Sequence, residues 1–211
     1  MTRPIHAASA FLATLAFGLA TAQAAAPVAE LKVIGTLTVP TCTVASADDG
    51  VYDLGKISAT MVKPATTTTL NNISKTWTVT CDAETYLNFR PVDNRAETNL
   101  GGDPVSFGLG SVNETGKIGF YSVIMKNGSV DSVASNVFSA ANTSISSNTS
   151  VYISTTHRNG WSSGTSQKSG KIFVADLEVA PVLGSTSHMN GPITEDTNID
   201  GSLTLNFAYG I

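Results

Sequence analysis

Cysteine, histidine and charge are all scarce in this chain, and each scarcity removes a class of function. There are only two cysteines, Cys42 and Cys81, and the histidines beyond residue 24 are His157 and His188 alone, so no close ligand spacing for a structural metal exists. Twelve Lys and Arg stand against sixteen Asp and Glu, a net charge of -4, with no basic run. That balance argues against a nucleic-acid or anionic-membrane partner. Helical periodicity over a useful length is missing after the first two dozen residues, and so is any apolar run long enough to span a bilayer.

The exception is the beginning. MTRPIH carries one Arg, AASAFLATLAFGLA is an apolar run of signal-peptide length, and Ala22-Gln23-Ala24 supplies a small-x-small cleavage site. Residues 1–24 therefore read as a signal peptide, leaving 187 residues with eleven basic and sixteen acidic side chains, net -5, in a size range suited to one domain. Export implies an oxidising compartment, where an even and minimal cysteine count predicts a Cys42–Cys81 disulfide.

What remains is rich in Ser, Thr, Asn and Gly and punctuated by short alternating segments. Trp77, Val79 and Cys81 alternate in KTWTVTC; Tyr121, Val123 and Met125 in GFYSVIMKNG; Val151 and Ile153 about Tyr152; Phe173, Ala175, Leu177 and Val179 in KIFVADLEVAPV. Each is bounded by Gly, Pro, Asn or Ser, so the mature chain reads as all-β, with a sandwich as the expected architecture. Residues 93–106 and 129–150 read as loops, the second with room for a short strand or helical turn.

The two ends of this region alternate most regularly. From Leu31 the odd positions are Leu31, Val33, Gly35, Leu37 and Val39, and the even ones Lys32, Ile34, Thr36 and Thr38. In GSLTLNFAYGI, Leu203, Leu205, Phe207, Tyr209 and Ile211 share one face. Both describe strands with one buried face. The first has no hairpin partner before it, which makes it an aggregation hazard unless something covers it.

Catalytic constellations do not assemble. GSVNETGK at 110–117 has five residues between its glycines where a phosphate loop has four, and Ile118 follows Lys117 where Ser or Thr would bind magnesium, so it reads as a hairpin turn. No G-x-S-x-G elbow accompanies the serines, and Asp48-Asp49 and Glu195-Asp196 sit among turn formers. The N-x-S/T sites at Asn72, Asn113, Asn127, Asn142 and Asn148 reflect composition. The expectation is a protein that is not an enzyme and needs no cofactor or metal.

Taken in order, a leader, an alternating strand with a central glycine, Pro40-Thr41-Cys42, VYDLGKI at 51–57, a second cysteine closing WTVTC, and a terminal strand with Tyr near its end resemble the chaperone-usher pilins, the subunits of bacterial fimbriae. The resemblance implies an incomplete immunoglobulin-like β-sandwich, the pilin fold, lacking its last strand. Its organisation would be a signal peptide at 1–24, an N-terminal donor-strand extension at 25–38 and a pilin domain at 39–211. In that family the extension of one subunit fills the groove of the next, which is strand addition at a sheet edge.

By the same resemblance, Leu31, Val33, Gly35 and Leu37 are the donor residues, with Gly35 at a pocket that takes only a small residue. Leu203, Leu205, Phe207, Tyr209 and Ile211 form the groove edge held by the chaperone. Tyr209 is third from the end where the family's Tyr is penultimate, and Thr197 stands where the family has Gly, Gly201 being the nearest. The implied partners are a periplasmic chaperone, an outer-membrane usher and neighbouring pilin subunits, and the implied destination is a cell-surface fimbrium active in adhesion. The alternative is a self-contained secreted β-sandwich that binds carbohydrate or a cell-surface ligand.

Overall fold

A computed structural model describes residues 27–210; the expected signal peptide at 1–24 and the terminal Ile211 lie outside the described residues. The chain divides between Leu37 and Thr38 into two units, and each is described by itself.

In the first unit, residues 27–37 form no strand. Alternation alone does not make one: a strand needs a neighbour to receive its N–H and C=O groups. Leu31, Val33 and Leu37 are 85%, 89% and 104% exposed, and Ile34, on the other face, is 92% exposed.

The second unit is all-β, and no α-helix occurs among its described residues. Its first strands are β1 (Cys42–Ser46), β2 (Thr68–Thr69), the twenty-one-residue β3 (Ile73–Asp93), β4 (Ser106–Gly108), and the paired β5 (Ser111–Val112) and β6 (Gly116–Lys117). There follow β7 (Gly119–Val130), β8 (Val133–Ala134), β9 (Asn136–Ala140), β10 (Ser150–Tyr152), β11 (Arg158–Ser163), β12 (Ser166–Gln167), β13 (Ser169–Leu183) and β14 (Leu203–Tyr209).

All pairings are antiparallel, and the sheet curls strongly into a half-barrel. β3 causes the curl by changing partners along its length. Its first part lies between β1 and β13, with Cys42 opposite Cys81 and Phe173 opposite Val79. Its second part lies between β14 and β11, with Phe207 opposite Phe89 and Gly160 opposite Asn88. β7 continues the first layer beyond β13, and β9 continues the second beyond β11. One core fills the concave side, anchored by the fully buried Phe89, Phe107, Phe173, Leu87 and Met125.

Two expectations need correction. The strand expected to close at Cys81 runs on to Asp93, because Leu87 and Phe89 keep alternating into the core beyond the polar Asp82 and Glu84. The stretch 129–150, expected as loop with room for one short strand or helical turn, holds more: the end of β7, then β8 and β9, whose Val137 and Phe138 are fully buried, and the start of β10. Its Ser and Asn content masked the strand. The hairpin expected at 110–117 is present as β5 and β6, turning through Asn113 and Glu114 at positive φ.

Candidate binding groove

A cavity of about 1210 Å³ opens along the second unit, bounded on one side by residues 50–62 and on the other by residues 193–205. Its floor is apolar: Leu109, Val123, Leu177, Val179 and Met189 come from β7, β13 and the turns beside them. Natural interiors hold few voids larger than a water molecule. A trough of this size along the main core marks a missing layer of side chains.

Both rims are main chain without a sheet partner. Among the described residues β14 pairs with β3 alone, which leaves its other edge open. On the opposite rim, residues 51–58 form no strand, and among the described residues the backbone N–H of Val51 bonds back to Asp48 while that of Gly55 bonds to the Asp53 side chain. Strands carry such groups in pairs, and an edge left open is a template for another strand.

The first rim is nevertheless held firmly at one end. The Tyr52 hydroxyl donates to the Leu177 carbonyl at 2.9 Å and accepts from the Trp77 indole N–H at 2.9 Å. Gly50, at φ +79°, brings the chain so close to the Trp77 ring that a Cβ there would lie 2.9 Å from it. Burial pushes the Tyr52 pKa upward, opposed by the Trp77 hydrogen bond and assisted by Asp176, so the hydroxyl stays protonated and able to donate.

The second rim is tied where it meets β14. Asp200 pairs with Arg95, its N–H donates to the Leu109 carbonyl at 3.2 Å, and Asn94 bonds both the carbonyl and the hydroxyl of Ser202. Between these ties and Pro192, residues 193–199 line the cavity without strand pairing, with the half-buried Ile193 and Ile199 packed against the core.

Of the residues singled out from sequence, Leu203 and Leu205 line the cavity. Phe207 points the same way but packs on Phe89, with ring centroids 5.4 Å apart, and Tyr209 at the end of β14 is exposed. Ile211 lies outside the described residues. Thr204, Asn206 and Ala208 all face solvent. Cys42 and Cys81 form the expected disulfide, joining β1 to β3 at directly opposed positions. Leu31, Val33, Gly35 and Leu37 belong to the first unit and are exposed, with nothing within 4 Å of the position a Gly35 Cβ would take.

The features set aside from sequence have local explanations. Gly116 is needed because a Cβ there would lie 2.2 Å from the Met189 carbonyl. His157 bonds Ser139 and His188 bonds Ser185, each as a single side-chain pair. No group of His, Cys, Asp or Glu able to hold a metal occurs among the described residues.

Sequence reasoning did not find the cavity-lining segment at 193–199 or the anchoring role of Tyr52, since both depend on segments far apart in the chain. It placed Tyr121 on an inward face without a function. In the structure Tyr121 lies on the groove floor, 7% exposed, against Phe107. Burial, with the Asp93 carboxylate adding to it, pushes its pKa well above the ordinary tyrosine value.

Residues 31–104 are similar to DUF1120, a protein family of unknown function. The matched region runs from the exposed segment through β1, the first rim and all of β3. No curated protein and no solved structure matches the chain.

Proposed function

We propose that this chain is a structural subunit of a chaperone-usher fimbria, and that its second unit is an incomplete immunoglobulin-like sandwich completed by the extension of a neighbouring copy. One observation carries the reading. A single chain has both a groove with an apolar floor, open between a segment without strand pairing and the outer edge of β14, and an exposed segment that places large apolar residues at alternate positions. Inserted as a strand, residues 31–39 would pair with both rims and lay Leu31, Val33, Leu37 and Val39 on the floor. Each buried aliphatic side chain contributes roughly 1.5–3 kcal/mol.

On this reading Leu203 and Leu205 are first covered by a periplasmic chaperone and later by the neighbour's strand, and an outer-membrane usher directs the exchange on the way to the cell surface. Having both a donor and an acceptor suits a position within the fibre, away from the tip. A self-contained binding module would need residues 31–37 as a strand of its own sheet, and residues 27–37 form no strand.

The test uses the full exported chain and a variant carrying Leu31→Ser, Val33→Ser and Leu37→Ser. The wild-type chain is expected to form a ladder of multimers that survives detergent, and the variant to remain a folded monomer. A wild-type chain that stays monomeric at high concentration would sink the proposal.

A further inference from the structure

β14 borders the cavity for only part of its length. Of its residues, Leu203 and Leu205 alone line it, a stretch of about 7 Å at the spacing of a strand. The floor is longer: Leu177, Val179, Pro181 and Leu183 of β13 all line the cavity, a run of about 20 Å at the same spacing. Leu31, Val33, Gly35 and Leu37 cover an equal number of residues. A strand laid over this floor therefore runs past Leu203 and lies beside residues 193–199, which line the same rim.

That segment is already patterned as a strand. No residue from 192 to 209 has a positive φ, and Ile193, Thr197, Ile199, Leu203, Leu205 and Phe207 are half-buried while every even-numbered residue between Ile193 and Phe207 is exposed. The alternation of β14 thus continues upstream without a change of face, missing only at Glu195 and Gly201. What the segment lacks is a ladder. Among the described residues, no hydrogen bond from main chain to main chain reaches 193–199, where the Thr197 hydroxyl donates to the Glu195 carbonyl at 3.2 Å. The ties just beyond show which way the backbone turns. The Ser202 carbonyl accepts from the Asn94 N–H at 3.0 Å and the Asp200 N–H donates to the Leu109 carbonyl at 3.2 Å, so even-numbered residues turn their main chain toward the sheet. Alternate residues of a strand turn opposite ways, which aims the N–H and C=O groups of Ile193, Glu195, Thr197 and Ile199 at the cavity.

We infer that residues 193–199 are an unformed extension of β14 that becomes a strand only when the segment 31–37 of a second copy lies against it, so that assembly orders part of the acceptor as well as the donor. The inference rests on the fibre reading above and deepens it. Glu195 fits this role, because a charge on an open edge discourages unselective pairing until a strand with enough apolar side chains to fill the floor arrives.

The test follows hydrogen exchange by mass spectrometry in wild-type multimers and in the monomeric chain carrying Leu31→Ser, Val33→Ser and Leu37→Ser. Amides at 193–199 are expected to exchange rapidly in the monomer and at least about tenfold more slowly in the multimers. Thr197→Pro removes an N–H that would face the incoming strand, and Asn198→Pro removes one that would face away from it. Neither has a main-chain bond to lose in the monomer, so both should unfold thermally like wild type. Multimers of Thr197→Pro should dissociate in denaturant about tenfold faster, the factor expected for one hydrogen bond, while those of Asn198→Pro and Thr197→Ala keep the wild-type rate. The exchange measurement needs no variant of this segment, so it decides even where a proline impairs folding. Exchange at 193–199 that is equally fast in multimers overturns the inference, as does equal dissociation of Thr197→Pro and Asn198→Pro, and either result leaves the fibre reading standing. A wild-type chain that forms no multimers overturns both.

Discussion

The segment at 31–39 and the strand β14 at 203–209 are written in the same code, yet they end in opposite states. Each places large apolar residues at every second position. In β14, Leu203, Leu205 and Phe207 turn inward and are half-buried against β3, while Thr204, Asn206 and Ala208 face water. In the earlier segment both faces are exposed and no strand forms. Period-two patterning therefore reports that a face is destined for burial, and leaves open which chain does the burying. On the reading proposed above, the groove of a neighbouring copy is where that burial takes place.

The largest effect should come from deleting each region in turn. Removing 203–210 uncovers Leu87 and Phe89 along β3, and the expected outcome is loss of a cooperative thermal transition in circular dichroism. Removing 28–37 should leave that transition within a few degrees of wild type and abolish self-association in size-exclusion chromatography. Equal loss of folding in both would erase the distinction between the two regions.

Next in size is the disulfide where the exposed segment enters the sheet. Replacing Cys42 and Cys81 together by Ala reopens a 39-residue separation and should cost about 4 kcal/mol on the chain-entropy account, read as a fall in the denaturant midpoint. The loss should be the same in a chain lacking residues 28–37, since the bridge serves the second unit.

Single side chains sharpen the contrast further. Phe207→Ala should destabilise the monomer by about 2 kcal/mol, less than a fully buried Phe because the ring is only half-covered. Leu37→Ala should change monomer stability by less than about 0.5 kcal/mol, as exposed positions do. Denaturant titration of the two variants provides the comparison.

The smallest expected effect lies on the outer face, away from both regions. Glu178 is held below its ordinary pKa by the Lys126 ammonium and by the Asn72 amide, which both bond its carboxylate. A depressed carboxylate pKa adds stability above the unfolded value of about 4.3 and loses it as pH falls through the lower folded value. Stability should therefore slope downward on acidification below about pH 4.3, and Glu178→Gln should flatten that slope without altering self-association.

Much of the sheet was legible because its strands bury hydrocarbon. Phe173–Val179 and Tyr121–Met125 alternate openly, and two cysteines in an exported chain have one pairing available. What escaped was burial achieved by polar residues. Asn159 is fully buried in β11 because its side chain bonds the Phe89 and His157 carbonyls and the Ser154 N–H, and Ser162 is buried through Ser147. Such side-chain hydrogen bonds, whether 2 or 70 residues apart, leave no periodic trace in a sequence. The site divides likewise. Leu203 and Leu205 announce themselves by spacing, whereas the Tyr52–Trp77 anchor becomes visible only once β3 and β13 are side by side.

The opposed cysteines also decide how the molecule carries load. Any pull on residues 28–37 reaches the sheet at Thr41 and Cys42, where the Thr41–Asp82 hydrogen bonds and the covalent bridge pass it to Asp82 and Cys81 in the middle of β3. β3 is continuous from that point to Asp93 and is laced to β14 over seven residue pairs lying side by side along the direction of pull. Tension so applied works against the whole ladder in shear, where many hydrogen bonds must fail together, and does not unzip them one at a time. β7 and β9 do not pair with β3, so on the fibre reading proposed above a pull between the exposed segment and the groove rim would bear first on β3 and β14.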